Sequence, residues 1–203
     1  YEAFDLAEKY RHPVIVASDA AIGQMVEAVE LKEFKEHDIN TYDWAVRGRK
    51  DDEPKRTAEN VYYAMGADNY KEYLLKKYQE IEETEQRWES FCTEDAEIVL
   101  VAYGISSRVS KEAVKIARAK GLKLGLIRPR TLWPYPRKAF DALGDSVVGF
   151  LSVEMSILGQ MVDDIKLATD GKYPVHCYNE FANVPEPDIA IQMAEDMLKQ
   201  YKK

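Results

Sequence analysis

Four short apolar runs alternate with four amphipathic segments in the second half of the chain, and this alternation constrains the fold more than any other feature. The runs cover residues 98–103, 122–127, 147–153 and 173–178, and the predicted helices cover 108–120, 138–143, 159–169 and 187–201. Continuous apolar runs are typical of strands buried on both faces of a parallel sheet, and the helices between them serve as crossovers. The alternation therefore predicts an α/β domain with a mainly parallel sheet and helices on both faces.

The first 31 residues predict one helix–strand–helix unit. Residues 4–10 have helical spacing, and His12-Pro13 ends that helix. The apolar run 14–17 predicts a strand buried on both faces, and helical spacing returns over residues 19–29.

Residues 32–94 are less regular. They begin with a charged connector at 32–60 and continue in a long amphipathic pattern from about residue 57 to 91, broken near Gly66. We predict that these helices pack on the α/β domain at 95–203, and a partner-binding helix is the alternative. The predicted boundaries thus follow residues 31 and 94.

Composition argues against two classes of partner. The net charge of −8 is unlike that of a nucleic-acid surface, and the basic patch at 47–50 is followed directly by acidic residues, so we interpret it as a solvated loop. No apolar run reaches the length that crosses a bilayer. We expect no nucleic acid and no membrane as partner, and a cytoplasmic location. The start at Tyr1, without a signal peptide, predicts a fragment of a longer polypeptide.

Cysteines and histidines predict no metal site. Cys92 and Cys177 are far apart and no Cys-x-x-Cys occurs, so the sequence holds no ligand set for an iron–sulfur cluster or a structural zinc. Two free thiols are favoured over a disulfide. His12, His37 and His176 lack metal-ligand spacing, and we interpret each as structural or exposed.

The turn from Tyr103 to Arg108 is a candidate binding site. It lies where a strand meets a helix, and the backbone N–H groups at that position suit an anion. Ser106 and Ser107 can cap the helix, and together with Arg108 they could bind an anionic nucleotide such as CoA. Because the full glycine fingerprint is missing, a plain capped turn is the favoured interpretation.

Glu154 follows the third apolar run, at the edge of the sheet where α/β proteins build their sites. A general base would need a partner acid, a histidine or a metal, and none lies nearby in the sequence. Hydrogen bonding to the loop backbone is therefore favoured. From the residues alone, the chain is an α/β domain with no self-contained active site, and we predict no catalytic residue.

Residues 128–136 form a stiff exit from the second apolar run. Three prolines within eight residues fix the backbone and remove N–H donors, so the path is extended and non-helical. Trp133 and Tyr135 alternate with these prolines. A stiff segment at the end of a strand can project side chains toward a partner or a site, and in one interpretation both rings are exposed anchors for another protein surface.

Several segments, in this order, resemble one known family. They are residues 4–19 (FDLAEKYRHPVIVASD), 23–25 (GQM), 101–104 (VAYG) with Arg108, 125–136 (GLIRPRTLWPYP), and Glu154 with 159–161 (GQM). Together they resemble the C-terminal half of the alpha subunit of 2-oxoacid:ferredoxin oxidoreductases, closest to the 2-ketoisovalerate and 2-oxoglutarate enzymes.

The resemblance implies a fold similar to the C-terminal domain of transketolase, with an N-terminal helical and α/β appendage. That fold is a three-layer α/β/α sandwich with a mainly parallel, five-stranded sheet. Residues 1–31 then resemble the tail of a pyrimidine-binding domain, and 95–203 the transketolase C-terminal-like domain. A fifth strand must come from a weak segment or from residues 13–18.

The resemblance also implies chemistry located elsewhere. Family members decarboxylate a 2-oxoacid on thiamine diphosphate, pass electrons through iron–sulfur clusters to ferredoxin, and form an acyl-CoA. The beta subunit holds the diphosphate and Mg²⁺, and cysteine-rich gamma- or delta-type subunits hold the clusters. We therefore expect this part of the chain to bind no cofactor and to serve as a scaffold and subunit interface.

The expected interface residues combine the stiff segment with the Glu154 region; they are Arg128, Thr131, Trp133, Tyr135, Glu154 and Gln160. One alternative is a free-standing module that binds an anionic nucleotide such as CoA through Ser106, Ser107 and Arg108. Another is a pure assembly domain that docks on the beta subunit through Trp133 and Tyr135.

Overall fold

A computed structural model describes residues 1–34, 36, 38, 41, 42, 44, 45, 48 and 61–202. These residues fall into two compact units. One combines Tyr1–Gln24 with the chain from Lys77 onward, and the other lies between Met25 and Lys76. His37, the basic side chains of the 47–50 patch, and all of 51–60 lie outside the described residues, so the interpretation of the patch as a solvated loop stays a prediction. The boundaries after residues 31 and 94 also stay predictions.

Along the described chain, four helices and one strand come first, and strands then alternate with helices. They are α1 (Glu2–Tyr10), α2 (Ala20–Gln24), α3 (Val61–Met65), α4 (Ala67–Thr84), β1 (Trp88–Phe91), β2 (Ile98–Val101), α5 (Gly104–Ala119), β3 (Leu124–Pro129), α6 (Arg137–Asp141), β4 (Gly149–Glu154), α7 (Met161–Ala168), β5 (Val175–Asn179) and α8 (Pro187–Tyr201).

The described strands form one five-stranded sheet in the order β1-β3-β2-β4-β5. Strand β2 is central and pairs in parallel with β3 and β4, so that Ile98 faces both Leu124 and Gly149. Strand β5 extends the parallel part beyond β4. The four strands predicted from the apolar runs are confirmed, and so is the mainly parallel sheet.

The fifth strand is β1, which the sequence pattern assigned to the long helix at 57–91. That helix ends at Thr84, and β1 pairs with β3 in the antiparallel direction, with Trp88 opposite Pro129. Trp88 and Phe91 are half-buried while Glu89 and Ser90 are exposed. A four-residue strand that carries two polar residues has too weak an apolar pattern to be distinguished from a helix end. The predicted break near Gly66 is confirmed, since it separates α3 from α4.

Side chains of the central strands alternate between two apolar layers. Ile98 and Leu100 pack with α5 and α8, whereas Val99 and Val101 face the layer formed by α6 and α7. This alternation follows from the two-residue period of a strand. The predicted three-layer α/β/α sandwich is therefore confirmed.

The predicted strand at 14–17 is wrong. Residues 12–19 form no helix or strand, and Ile15 and Val16 are 89% and 79% exposed. A strand needs a neighbour to satisfy its backbone groups, and no described strand pairs with this run. The helix predicted at 19–29 is correspondingly short, because α2 covers only Ala20–Gln24.

Helix α1 is joined to the end of α4 by a buried carboxylate. The Glu85 side chain accepts hydrogen bonds from Lys9 Nζ at 2.8 Å and from the Tyr10 hydroxyl at 2.7 Å. Its second oxygen accepts one from Arg87 at 3.0 Å, and Arg87 also pairs with Glu2. The contacts of Glu85 with Lys9 and Tyr10 link residues 76 and 75 positions apart, and no local sequence pattern could indicate them.

Met25–Lys76, the second unit, contains α3 and the beginning of α4. Aromatic rings dominate its described side-chain contacts: Tyr62 packs edge-on against Tyr70, with 5.7 Å between ring centroids, and Tyr70 stacks on Tyr73 at 6.4 Å. The apolar side of this predicted amphipathic region is thus a stripe of aromatic rings.

We expect Glu85→Gln to destabilise the chain and to weaken its acid sensitivity. Burial by itself would raise the pKa of Glu85, but hydrogen bonds from Lys9, Tyr10 and Arg87 outweigh it and lower the pKa from 4.5 to about 2. The ionised carboxylate therefore contributes stability above about pH 4.5, and this contribution is lost as the pH falls towards 2. At pH 7 the variant should lose about 1–3 kcal/mol.

Urea unfolding of the chain at a series of pH values measures both effects. The matched control is Glu82→Gln, which removes an exposed carboxylate near the end of α4, three residues before Glu85. A stability decline between pH 4.5 and 2 that is equally steep in the wild type and in Glu85→Gln would contradict the assignment.

Candidate functional site

The carboxyl ends of the parallel strands define the candidate site. Tyr103 follows β2, Glu154 ends β4, Asn179 ends β5, and the proline segment follows β3. In open α/β sheets, binding sites form outside the carboxyl ends of the strands. The described chain therefore places most of the predicted binding and interface residues at the carboxyl ends of the parallel strands.

Glu154 organises the loop that follows β4. It is 2% exposed, and its Oε1 accepts a hydrogen bond from the Ser152 hydroxyl at 2.6 Å. Its Oε2 accepts one from the Gln160 backbone N–H at 2.7 Å. The interpretation that Glu154 bonds to the loop backbone is confirmed, and both carboxylate oxygens are occupied by internal donors.

Asp19 caps two helices at once. Its Oδ1 accepts the Ile22 N–H of α2 at 2.8 Å, and its Oδ2 accepts the Ile105 N–H of α5 at 2.7 Å. Gly104 makes this approach possible, since its φ is +57° and a Cβ there would lie 2.1 Å from Asp19 Oδ2. The anion-binding position at the start of α5 thus already holds a carboxylate of the same chain.

The predicted capping role of Ser106 and Ser107 is wrong. Helix α5 begins at Gly104 rather than near Arg108, so both serines lie inside it, and each is 4% exposed. The Ser107 hydroxyl donates to the Gly104 carbonyl at 2.7 Å. Arg108 is exposed on the next turn. CoA binding at these residues stays a prediction. The negatively charged Asp19 carboxylate beside them would repel the diphosphate of a bound CoA.

Burial and negative charge at this edge raise the pKa of three nearby groups. Burial, followed by Glu154 and Asp19, raises the pKa of Tyr103. Burial and then the charge of Asp163 raise the pKa of Asp164. Burial and the charge of Glu154 raise the pKa of Cys177 to about 12. A thiol with such a pKa is a poor nucleophile at neutral pH.

Within the stiff segment, Trp133 and Tyr135 have different surroundings. Trp133 is 52% exposed and lies in a cluster with His12 and Tyr78, whose ring centroids are 6.4 and 5.8 Å away. Tyr135 is half-buried and stacks on Phe140 at 5.9 Å, and its buried hydroxyl has no hydrogen-bond partner among the described residues. The expectation of an exposed ring is confirmed for Trp133 and wrong for Tyr135.

The remaining expected interface residues are partly engaged within the chain. Arg128 pairs with Glu89 at 3.1 Å, and the Thr131 hydroxyl oxygen accepts the Arg87 N–H at 3.0 Å. Gln160 is exposed, whereas Glu154 is buried and can influence a partner only through its loop. Their roles at an interface stay predictions.

Metal-binding residues do not cluster in the described chain. No group of three or more His, Cys, Asp or Glu side chains there could hold a metal ion. Cys92 and Cys177 are both free thiols, as expected. They lie at the two outer strands of the sheet, because Cys92 directly follows β1 and Cys177 is within β5. His176 Nε2 is 3.0 Å from the Tyr201 hydroxyl, in keeping with a structural role.

Sequence reasoning missed the second capping role of Asp19. Its position before α2 is visible as an ordinary N-cap, because Asp is favoured there. Its bond to Ile105 spans 86 residues and depends on how the N-terminal segment crosses the sheet edge. The neighbouring Gly104 is the only local signal.

Asp19→Ala should destabilise the chain by about 1–3 kcal/mol, because two helix N-termini lose a hydrogen-bond acceptor. The first-turn amide of α5 should also exchange its hydrogen faster. Unfolding experiments and hydrogen exchange at Ile105 measure the two effects. Ser18→Ala is the matched control, since its exposed hydroxyl donates to the Asp19 carbonyl and caps neither helix among the described residues. A cost for Asp19→Ala no larger than that of Ser18→Ala would contradict the double cap.

Comparison with known proteins assigns the family. Residues 96–193 match the model described as pyruvate:ferredoxin oxidoreductase core domain II. The ketoisovalerate oxidoreductase subunit VorB of Methanothermobacter marburgensis is 47% identical over 174 residues, which cover 83% of this chain and 47% of that relative. The 2-oxoglutarate synthase subunit KorA of the same organism is 29% identical over 201 residues, covering 83% and 52%. The chain thus spans about half the length of these curated relatives.

A solved structure agrees with the fold. The 2-oxoglutarate:ferredoxin oxidoreductase from Magnetococcus marinus, with 2-oxoglutarate, coenzyme A and succinyl-CoA bound, superimposes with a TM-score of 0.56 and 20% identity. The match covers 66% of this chain and 24% of that one, and it concerns the fold alone. The sequence matches confirm the resemblance: the chain belongs to the 2-oxoacid:ferredoxin oxidoreductase family.

Proposed function

We propose that the chain is part of the alpha subunit of a thiamine diphosphate-dependent 2-oxoacid:ferredoxin oxidoreductase. The whole complex would oxidatively decarboxylate a 2-oxoacid to an acyl-CoA and pass the electrons to ferredoxin. The observation that carries the proposal is the 47% identity to a ketoisovalerate oxidoreductase subunit. Because the 2-oxoglutarate synthase subunit is only 29% identical, 2-ketoisovalerate is the proposed substrate and 2-oxoglutarate the alternative.

This part of the alpha subunit would act as a scaffold and as a subunit interface. Its two prominent carboxylates, Asp19 and Glu154, use both of their oxygens for hydrogen bonds inside the chain. A general base must reach the substrate, whereas Glu154 is only 2% exposed, and a nucleophilic cysteine needs a lowered pKa. Cys177, with its raised pKa, has the opposite property.

Cofactor chemistry would be supplied by other parts of the complex. The two cysteines lie at opposite sheet edges and cannot share one iron–sulfur cluster. The start of α5 already binds the Asp19 carboxylate, so the diphosphate of thiamine does not fit there. We therefore assign thiamine diphosphate and Mg²⁺ to a beta subunit, and the clusters to gamma- or delta-type subunits.

The proposed complex is cytoplasmic. Across the described residues, no helix has both the length and the apolar character needed to cross a membrane.

Trp133 remains the proposed contact for the beta subunit in the stiff segment, because half of its surface is exposed.

The purified complex, with the full-length subunit and its partner subunits, should reduce ferredoxin with 2-ketoisovalerate when CoA and thiamine diphosphate are present. We expect kcat/KM for 2-ketoisovalerate to exceed that for 2-oxoglutarate by at least about tenfold. Steady-state assays with both acids measure this ratio. The reverse preference would overturn the substrate assignment, and no turnover of any 2-oxoacid would overturn the function.

The 203-residue chain alone should bind neither thiamine diphosphate nor CoA. Isothermal titration calorimetry should show no heat of binding for either ligand, with the whole complex as the positive control. Micromolar binding of thiamine diphosphate to the chain would contradict the scaffold role. Binding of CoA that disappears in Arg108→Ala would instead favour the nucleotide-binding module.

A further inference from the structure

Two neighbouring loops at the carboxyl edge expose an apolar surface. The first connects β4 to α7 and the second connects β5 to α8. We call their apolar side chains the β4–β5 loop surface, and its members with their exposed fractions are Met155 39%, Ile157 67%, Leu158 87%, Phe181 70% and Val184 42%. Large contiguous apolar patches are uncommon on the surface of a monomer, and those that occur mark interaction sites.

Strand pairing places the two loops side by side. Strands β4 and β5 remain paired up to Glu154 and Asn179, and each loop begins at the next residue. The Asn179 side-chain amide donates to the Ile157 carbonyl at 3.2 Å. The Glu180 N–H donates to the Glu154 carbonyl at 2.9 Å. The two loops that carry these apolar side chains therefore lie next to each other.

Internal hydrogen bonds hold both loops in place. In the first, Glu154 accepts the Gln160 N–H, and the Ser156 hydroxyl accepts the Gly159 N–H at 3.0 Å. In the second, the Tyr178 hydroxyl accepts the Glu186 N–H at 3.0 Å. Loops that are already ordered lose little conformational entropy when a partner binds, so apolar contacts on them contribute more fully to affinity.

Gly159 adds a steric restriction to the first loop. Its φ is +77°, and a Cβ at this position would lie 2.8 Å from Cys177 Sγ on β5. The loop can approach β5 this closely only because residue 159 has no side chain. This close packing holds the first loop against β5.

Within the two loops and the first turns of the helices that follow them, every charged side chain is acidic. Residues 155–164 and 180–188 contain five charged side chains and no lysine or arginine; the five are Asp163, Asp164, Glu180, Glu186 and Asp188. Of these, Asp163 has Lys166 at 3.3 Å on the same helix. An acidic rim repels the phosphates of nucleic acids and the headgroups of anionic membranes. It attracts a protein surface with lysine and arginine side chains.

We propose that the β4–β5 loop surface docks a partner subunit of the complex whose contact surface has apolar side chains surrounded by lysines and arginines. The proposal rests on the proposed function for the existence of partner subunits. It differs from the contact expected at Trp133, because the proline segment follows β3 on the other half of the sheet. The complex would thus hold this subunit at two places along one edge.

The test uses the full-length subunit assembled with its partner subunits. Leu158→Asp places a charge at the most exposed apolar position and should raise the dissociation constant of the complex at least about tenfold. The matched control is Leu167→Asp on α7, which makes the same change at a leucine that is 68% exposed, outside the two loops. It should leave assembly unchanged. Native mass spectrometry and sedimentation measure both, and circular dichroism checks folding.

Hydrogen exchange on the wild-type complex keeps the test decisive if Leu158→Asp does not fold. Amides of residues 155–160 and 180–186 should exchange more slowly in the complex than in the free subunit. Raising the salt concentration should weaken assembly, because the proposed contact pairs acidic with basic groups. Absent protection, or equal assembly of Leu158→Asp and Leu167→Asp, would overturn the proposal.

Two further outcomes separate this proposal from its alternatives. If the free subunit forms a dimer that Leu158→Asp dissolves, the occupant is a second copy of the chain and the proposal is wrong. If the wild-type complex assembles and turns over a 2-oxoacid while Leu158→Asp assembles normally, only the docking surface is lost. If assembly depends on Leu158 but no 2-oxoacid is turned over, only the proposed function is lost.

Discussion

Burial of β2 and β4 on both faces is the constraint on which the rest of the structure depends. Every residue of these two strands is buried. Their side chains contact α5 and α8 on one face, and the layer of α6 and α7 on the other. A sheet whose faces both need covering requires the chain to return across it after each strand, and this produces the parallel order.

Parallel order in turn places the starts of several helices at the carboxyl ends of the strands. Helices α5, α7 and α8 all begin there, and their unpaired N–H groups attract carboxylates. Asp19 and Glu154 meet this demand from within the chain. The edge therefore resembles a binding site in its position but uses its acids for structure. This is why we propose that its exposed apolar loops contact another subunit.

Long, strongly periodic elements could be predicted from the sequence. Helix α8 has the predicted bounds of residues 187–201, and the apolar runs predicted β2 to β5 to within a few residues. Short or context-dependent elements could not. Strand β1 has only two apolar residues and exists because β3 offers a free edge. Residues 14–17 have a strand-like composition but no strand partner in the described chain, so they stay exposed.

The sequence by itself determined the fold class and the family, because both depend on local periodicity and on short motifs. It also determined that Glu154 would bond to its own loop, since strand end, acid and helix start are adjacent. Only the tertiary structure decided that Asp19 occupies the start of α5, that Tyr135 turns inward, and that Glu85 joins α1 to α4. Each of these contacts joins groups whose distance is set by packing, and packing is a property of the whole chain rather than of any window of residues.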